Sequence, residues 1–199
     1  MKVCGLTGGV GMGKSTAAQF LRERGAQVVD TDEIARLLVQ PGQAALEEIQ
    51  VAFGKRVIGS AGELKRAELA QIVFADANTR KKLEAILHPR IRERWLAQIE
   101  SWRGENHPLA VVVIPLLFET QAESHFDKII CSACTPATQR ERLLSRGWTP
   151  EQIEQRIAAQ LPVQEKIARA DFVIWTEGTL AVHARQVDDI LVRLTPASK

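Results

Sequence analysis

A glycine-rich segment near the N-terminus constrains the fold of this chain more than any other feature of its sequence. It occupies residues 8–15 and reads GGVGMGKS, which matches the pattern G-x-x-x-x-G-K-[ST]. An apolar run at residues 3–7 precedes it, and residues typical of helices follow it. This order predicts a phosphate-binding loop, because glycines let backbone N–H groups turn inward and the next helix directs its positive end at an anion.

The motif also predicts chemical roles for single residues. Lys14 is placed to reach the β- and γ-phosphates of a nucleotide, and the Ser15 hydroxyl is placed to ligate Mg²⁺. The predicted loop ligands of ATP are Gly9, Val10, Gly11, Met12, Gly13, Lys14, Ser15 and Thr16. A glycine-rich turn with an accidental lysine is the alternative, and the flanking strand and helix argue against it. We therefore expect ATP and Mg²⁺ as cofactors, although the loop does not distinguish kinases, GTPases and motors.

Strand-like and helix-like segments alternate along the rest of the chain. Short apolar runs typical of strands lie at residues 3–7, 26–29, 109–114, 128–131 and 172–175. Unbroken Val and Ile runs indicate strands that are buried on both faces, as in a parallel sheet covered by helices. The alternation predicts an α/β fold built from right-handed βαβ units.

Two insertions interrupt this pattern. The first, about residues 33–108, carries apolar residues at three- and four-residue spacing, which predicts helices at 44–53, 66–74, 76–87 and 89–102. It is too long for a simple crossover and predicts a helical lobe. The second, about residues 135–170, is helical and rich in arginine. We therefore predict a single domain whose core comprises residues 1–32, 109–134 and 171–199.

The amino-acid composition argues against a nucleic-acid-binding, membrane-spanning or secreted protein. Lys and Arg number 26 against 24 acidic residues, and this net charge of +2 is weak for a nucleic-acid binder. No apolar stretch is long enough for a membrane span, and no secretion signal is apparent. Three cysteines, Cys4, Cys131 and Cys134, indicate reduced thiols in a cytoplasmic protein. Cys131 and Cys134 form a lone C-x-x-C, which we interpret as core or loop cysteines.

The insertions favour a nucleoside or metabolite kinase over a signalling GTPase, which would need a guanine-reading N-K-x-D. In such a kinase one insertion holds the acceptor, and the other is a lid that closes with arginines on the transferred phosphate and excludes water. Arg142 and Arg146 lie at i, i+4 on one predicted helix and Arg156 on the next. Guanidinium groups suit phosphate, and a solvated basic helix face is the alternative.

Two aspartates, Asp30 and Asp32, follow the second predicted strand at the sheet edge where open α/β sheets bind ligands. A carboxylate there can accept a proton from an acceptor hydroxyl or hold Mg²⁺ through water. The alternative role is the N-cap of a helix over residues 33–38, which Asp32 could provide. The two roles are compatible, and we predict catalysis for Asp32 ahead of Asp30.

Together these motifs make the sequence resemble the dephospho-CoA kinase family over nearly its whole length. The resemblance is carried by GLTGGVGMGKST at 5–16, DTDEIAR at 30–36, LEAILHPRIR at 83–92, PLLFE at 115–119, and then Arg142, Arg146, Arg156, Gln160, Lys166 and Asp171. It implies ATP-dependent phosphorylation of the ribose 3′-hydroxyl of dephospho-CoA, the last step of coenzyme A synthesis. It also implies a P-loop NTPase-type three-layer fold with a five-stranded parallel sheet, a helical substrate-binding lobe and a helical lid.

The resemblance implies roles for particular residues. The second aspartate of its D-x-D block is the expected base, which is Asp32 here. The helical lobe and the His-Pro block border the acceptor site, so the implied acceptor-binding residues are Asp32, His88, Pro89 and Arg92. The predicted catalytic residues are Lys14, Asp32 and Arg142. Arg146 is a predicted ATP ligand, and Ser15 is the predicted ligand of ATP-bound Mg²⁺.

Three positions depart from the family pattern. Met12 stands where Ser is usual, Lys65 where Asp is common and Thr176 where Asn is usual. Only the backbone of residue 12 is expected to face phosphate, so Met12 changes little. With Lys65, a contact in the acceptor lobe lacks its usual Asp side chain. With Thr176, a contact to adenine lacks its usual Asn side chain.

Some residues keep two interpretations. His88 precedes Pro89, which predicts a helix end, so a structural or surface role competes with an acceptor role. Glu119 could order Mg²⁺-bound water or cap a helix. Trp95 and Trp102 are predicted to be core residues rather than a stacking platform.

Alternatives also remain for the whole chain. The remaining histidines show no ligand spacing, so no protein-built metal site is expected. Another metabolite or nucleoside monophosphate kinase is the runner-up function. A nucleotide-dependent switch or a nucleic-acid-binding ATPase is the alternative from another class. We expect a monomer or weak homo-oligomer with neither nucleic acid nor membrane as a partner.

Overall fold

The computed structural model describes residues 1–194, which form two compact units. The first unit contains Met1–Val29 and the chain from Ile99 onward, and the second contains Asp30–Gln98. The strands are β1 (Lys2–Gly8), β2 (Gln27–Asp30), β3 (Leu109–Val113), β4 (Lys128–Ala133) and β5 (Phe172–Trp175). The helices are α1 (Lys14–Glu23), α2 (Thr31–Leu38), α3 (Ala44–Phe53), α4 (Arg66–Ala75), α5 (Ala77–Gly104), α6 (Pro136–Leu144), α7 (Pro150–Ala158), α8 (Val163–Arg169) and α9 (Leu180–Leu194).

The five strands form one sheet in the order β2-β3-β1-β4-β5. β1 lies at its centre and pairs in parallel with β3 and with β4, and β4 pairs in parallel with β5. Gly5 of β1 is opposite Val112 and Ile129, and Gly8 is opposite Ser132. The predicted five-stranded parallel sheet is confirmed, and it places the end of β1 in the middle of the sheet edge.

The sheet core explains the unbroken apolar runs in the sequence. All five residues of β3 are buried, and so are the β1 residues Val3–Gly8. Ala17 and Leu21 of α1 and Val187 of α9 complete the same cluster with Leu6 and Ile130. Strands covered on both faces need apolar side chains on both, and burying each Val, Leu or Ile contributes about 1.5–3 kcal/mol.

The second unit has its own apolar cluster. Val39, Leu46, Ile49, Phe53, Val57, Leu69 and Val73 form it, and Leu83, Ile86 and Leu87 of α5 pack against it. A short 3₁₀ helix, Lys55–Val57, and a bridge between Ile58 and Leu64 connect α3 to α4. Helix α3 has the predicted bounds, and the three- and four-residue spacing of its apolar residues gives it one buried side.

The prediction that His88 ends a helix is wrong. Helix α5 runs through Pro89 without a break and replaces the two helices predicted at 76–87 and 89–102. Proline inside a helix costs about 3 kcal/mol, because it removes one hydrogen bond and its ring meets a carbonyl of the preceding turn. The next residue, Arg90, ties this part of the helix to α3, since its guanidinium donates to the Ile86 carbonyl at 2.6 Å and to Glu48 at 2.5 Å. Packing of the apolar side of α5 outweighs the local preference of the sequence.

Candidate active site

The phosphate loop connects β1 to α1. Gly8, Gly11 and Gly13 adopt positive φ values of 142°, 76° and 81°, a backbone conformation that favours glycine. A Cβ atom at Gly8 would lie 2.3 Å from the Ser132 carbonyl oxygen, so no side chain fits there. Gly13 is the N-cap residue of α1. Since glycine has no side chain to cap the helix, the first-turn N–H groups of α1 can bind an anion.

The Lys14 ammonium is folded back against this loop. Its Nζ donates to the carbonyls of Gly8 at 3.0 Å and of Gly9 at 2.9 Å. Ser15 is exposed and Thr16 half-buried in the first turn of α1. One cation and two hydroxyl groups therefore lie in and beside the loop at the start of α1.

Two glutamines bind the backbone of Val10 in the first half of the loop. The Val10 N–H donates to Oε1 of Gln160 at 2.9 Å, and Nε2 of Gln139 donates to the Val10 carbonyl at 2.8 Å. Gln139 belongs to α6 and is 5% exposed, and Gln160 follows α7. Sequence reasoning missed Gln139 altogether, and it named Gln160 only as part of the family pattern.

Arg142 and Thr176 lie beside the second half of the loop. The Arg142 guanidinium donates to Thr176 Oγ1 at 2.8 Å and to the Thr176 carbonyl at 2.5 Å. Thr176 Oγ1 in turn donates to the Met12 carbonyl at 3.4 Å, and a Cβ atom at Gly13 would meet the Thr176 side chain at 3.0–3.2 Å. Thr176, considered above only as a departure from the family pattern, therefore links a predicted catalytic arginine to the loop.

Arg146 does not lie on the same helix as Arg142, so that prediction is wrong. Helix α6 ends at Leu144, and Arg146 occupies the turn that follows, where it is exposed. Gly147 lies in the same turn and has a φ of 80°, the left-handed conformation that glycine favours. Arg156 does lie on α7, where its guanidinium is 4.2 Å from the centroid of the Trp148 ring. That distance is within the range of a cation–π contact.

Glu119 forms an ion pair with a buried lysine rather than a helix cap. It lies in the turns after β3, and its carboxylate accepts from Lys166 Nζ at 2.7 Å and from the Leu161 N–H at 2.8 Å. Lys166 is fully buried and also donates to the Pro115 carbonyl at 2.8 Å. The pair fixes the connection between α7 and α8 to the segment that follows β3.

The predicted acceptor residues belong to the second unit. Asp30, not Asp32, caps α2, because its Oδ1 accepts from the Asp32 N–H at 2.8 Å and the helix begins at Thr31. The prediction that Asp32 could be the cap is therefore wrong. Asp32 is exposed in the first turn of α2, where the helix dipole stabilises a carboxylate.

His88, Pro89 and Arg92 follow one another on α5. His88 and Arg92 are four residues apart and share one side of the helix. His88 is half-buried, and this burial lowers its pKa, so its imidazole is neutral at pH 7. Arg92 is exposed. Lys65, in the position of a usual Asp, forms an ion pair with Glu68 at 3.3 Å.

A comparison with protein families identifies the chain. A family model described as dephospho-CoA kinase matches residues 2–181. The chain belongs to the dephospho-CoA kinase family. Membership makes it an ATP-dependent kinase that phosphorylates dephospho-CoA in coenzyme A synthesis, and this confirms the function that the sequence resemblance implied.

Curated relatives carry the same name. A dephospho-CoA kinase of Bdellovibrio bacteriovorus is 44% identical and covers 96% of this chain and 95% of its own length. One from Geobacillus kaustophilus is 43% identical and covers 94% of each chain. The similarity thus extends beyond the phosphate loop to both units.

Solved structures agree with the fold of this kinase. A structure of TT1252 from Thermus thermophilus has a TM-score of 0.83 at 33% identity and covers 98% of both chains. A dephospho-CoA kinase from Campylobacter jejuni has a TM-score of 0.66 at 25% identity, covering 98% of this chain and 97% of its own. A shikimate kinase from Acinetobacter baumannii, at 15% identity and a TM-score of 0.55 over 98% of this chain and 93% of its own, shares the fold.

Several buried side chains of the first unit have structural roles. All three cysteines are buried, and burial raises the pKa of Cys4 to about 12 and that of Cys131 to about 11. The interpretation of Cys131 and Cys134 as core cysteines is confirmed, because a thiol with a raised pKa is a poor nucleophile and metal ligand. Within residues 1–194 no cluster of three or more His, Cys, Asp or Glu side chains could hold a metal ion. None of the helices in that range has the length and apolar character of a membrane span.

Two tryptophans and one histidine are buried. Trp95 and Trp102 are 2% and 9% exposed, which confirms them as core residues. His183 of α9 is 4% exposed and packs edge-on against Phe20, with ring centroids 5.4 Å apart. Its Nε2 has no hydrogen-bond partner among residues 1–194, and burial lowers its pKa.

Proposed function

We propose that this kinase binds ATP·Mg²⁺ through residues 9–16 and transfers the γ-phosphate to the ribose 3′-hydroxyl of dephospho-CoA. The products are ADP and coenzyme A. The observation that best supports the ATP site is the glycine loop, which ends at the uncapped N-terminus of α1 with the Lys14 ammonium beside it. Such a loop binds phosphates through backbone N–H groups and a positive helix end.

Lys14 and Ser15 carry the charge-stabilising part of the proposed mechanism. Lys14 exchanges the carbonyls of Gly8 and Gly9 for the β- and γ-phosphate oxygens when ATP binds. The Ser15 hydroxyl is an exposed oxygen donor one residue along, a ligand type that suits Mg²⁺ together with water and phosphate. Bound Mg²⁺ neutralises charge on the phosphate oxygens.

Arg142 stabilises the transferred phosphate, and Arg146 binds ATP. A guanidinium has five N–H donors, so the two hydrogen bonds from Arg142 to Thr176 do not exhaust it. Because Thr176 also binds the Met12 carbonyl, the position of Arg142 is tied to that of the loop. Pre-positioned cationic donors of this kind stabilise charge that develops in the transition state.

Asp32 acts as the base toward the acceptor hydroxyl. Asp30 supports this role, since its capping contact fixes the first turn of α2, which carries the Asp32 carboxylate. An oriented carboxylate can accept the hydroxyl proton as the new P–O bond forms in line with the bond that breaks. His88, Pro89 and Arg92 bind the acceptor, with neutral His88 as a hydrogen-bonding group and Arg92 as a partner for anionic oxygens.

The proposal extends to the setting of the reaction. We infer a cytoplasmic monomer or weak homo-oligomer without a nucleic-acid or membrane partner. The net charge of +2 supports the absence of a nucleic-acid partner, because proteins that bind nucleic acids through phosphates carry a larger or more clustered basic excess.

The experiment that tests the function measures ADP release from ATP·Mg²⁺ with and without dephospho-CoA. We expect ADP only with the acceptor, together with a product of the mass of coenzyme A. An analogue that lacks the ribose 3′-hydroxyl should not react, which tests the position of transfer. Equal ADP release without the acceptor, or product from the 3′-deoxy analogue, would contradict the proposal.

A further inference from the structure

Both backbone polar groups of Val10 form hydrogen bonds with glutamine side chains, one of which accepts and the other donates. Its N–H donates to Gln160 Oε1 at 2.9 Å, and its carbonyl accepts from Gln139 Nε2 at 2.8 Å. A backbone N–H can only donate and a carbonyl can only accept, so these partners determine which amide atom of each glutamine faces the loop. We name this arrangement of Gln139, Val10 and Gln160 the Val10 brace.

The brace acts on a glycine-rich part of the loop. Gly8, Gly9 and Gly11 surround Val10, and glycine loses more backbone entropy on ordering than any other residue. The loop N–H groups must point in one direction to bind phosphate strongly. If the loop becomes ordered only when ATP binds, the entropy lost in ordering reduces the affinity for ATP. Hydrogen bonds on both sides of Val10 therefore order the loop before the nucleotide arrives.

Both glutamines belong to the predicted lid segment, residues 135–170. Each is close in sequence to a residue that packs against or hydrogen-bonds to another part of the protein. Gln139 is 5% exposed, and Leu143, one turn later on α6, is 3.0 Å from where a Cβ atom at Gly11 would lie. Gln160 precedes Leu161, whose N–H donates to the Glu119 carboxylate that also pairs with buried Lys166. The position of the lid segment therefore determines where the two amide groups can meet the loop.

We propose that Gln139 and Gln160 are positioning residues that order the phosphate loop for ATP and couple it to the lid segment. This inference rests on the proposed function, since it assigns both residues to the ATP site of that reaction. They contact loop backbone atoms and not the reacting groups. Their loss should therefore weaken ATP binding and raise the KM for ATP, with a smaller effect on the KM for dephospho-CoA.

Substitution by glutamate tests whether one glutamine acts as an acceptor and the other as a donor. Glutamate keeps the acceptor oxygen that Gln160 uses and lacks the N–H that Gln139 uses. Both Gln139→Glu and Gln160→Glu add one carboxyl group against the same loop residue, and the titration is run above about pH 8 to favour the ionised form at the more buried position 139. We expect the Kd of ATP·Mg²⁺, measured by calorimetry, to be roughly tenfold higher for Gln139→Glu than for Gln160→Glu, because only the former leaves a carbonyl unsatisfied.

Methionine variants test the brace without a change in charge, and they carry the test if Gln139→Glu does not fold. Gln139→Met and Gln160→Met should each raise the Kd of ATP·Mg²⁺ about tenfold, with a thermal midpoint lowered by about 2–4 °C for each kcal/mol of lost hydrogen bonding. The double variant should bind more tightly than the product of the single effects predicts, since both contacts hold one residue. Gln155→Glu, at an exposed position of α7, is the matched control for charge in the lid segment and should change the Kd less than about twofold.

The outcomes separate the brace from the proposed function. Equal Kd values for Gln139→Glu and Gln160→Glu, or wild-type values for both methionine variants, would overturn the brace. Failure of the unmodified enzyme to form coenzyme A would overturn the proposed function. The calorimetric titration reports on the brace in either case, because it needs no turnover.

Discussion

The ion pair between buried Lys166 and partly exposed Glu119 gives a testable prediction about stability. Lys166→Met leaves the Glu119 carboxylate without its cation, in a region where the lysine side chain is 0% and the glutamate side chain 20% exposed. Removing one partner of a buried pair costs about 3–5 kcal/mol. The remaining N–H bond from Leu161 and the partial exposure of Glu119 place the expected loss near the lower bound, at about 3 kcal/mol.

Thermal unfolding measures this loss directly. For a chain of this size, about 3 kcal/mol corresponds to a midpoint lowered by about 6–12 °C. Lys128→Met is the matched control, because Lys128 also forms an ion pair, with Asp171 at 2.6 Å, but is 45% exposed. Exposed pairs contribute about 0–1 kcal/mol, so the control midpoint should fall by no more than about 4 °C.

A double variant tests whether the cost comes from an unpaired buried charge. Lys166→Met combined with Glu119→Met removes both charges, and apolar replacement of a whole buried pair is often close to neutral. We therefore expect the double variant to be more stable than Lys166→Met alone. Additive losses in the double variant, or equal midpoints for Lys166→Met and Lys128→Met, would refute the reasoning.

Three further predictions concern catalysis and pH. Lys14→Ala should lower kcat by about 10²-fold or more, as expected for a lost transition-state donor, and near-normal turnover in the coupled ADP assay would contradict the motif. Asp32→Asn should lower kcat with little change in the Kd of ATP, and unchanged turnover would remove Asp32 as the base. Burial lowers the pKa of His183 below its ordinary 6.5, so the folded state binds fewer protons and loses stability as the pH falls below 6.5. His183→Leu should reduce the fall in thermal midpoint between about pH 7.5 and 5.5, and an unchanged slope would contradict this.

Most of the fold follows from local sequence patterns. The strand predicted at 172–175 and the helix predicted at 44–53 have the observed bounds, and the other strands differ by one or two residues at their ends. These elements were predictable because burial on both faces requires an unbroken apolar run, and burial on one side of a helix requires a 3.6-residue period. Gly147 is a local signal that α6 ends before Arg146. The i, i+4 spacing of Arg142 and Arg146 instead suggested that the helix continues through Arg146.

Pro89 and Asp30 show where local patterns fail. The sequence DTD offers two capping carboxylates two residues apart, and the end of β2 at Asp30 decides which one caps α2. Proline rules place a helix end at His88, yet tertiary packing of α5 outweighs a local cost of about 3 kcal/mol. In both places the local rule fails because the structure around the residue decides: the end of strand β2 in one case and the packing of α5 in the other.

The site divides in the same way between local and distant contributions. The phosphate loop was predictable because one continuous segment supplies its glycines, its lysine and its hydroxyl. The side chains that hold the loop come from residues 129, 150 and 164 positions away, namely Gln139, Gln160 and Thr176. Glutamine and threonine there have no distinctive spacing, and only the parallel sheet, which brings β4 and β5 to the end of β1, gives them a partner. The motif therefore predicts what the loop can bind, whereas its orientation and order depend on residues that only the fold identifies.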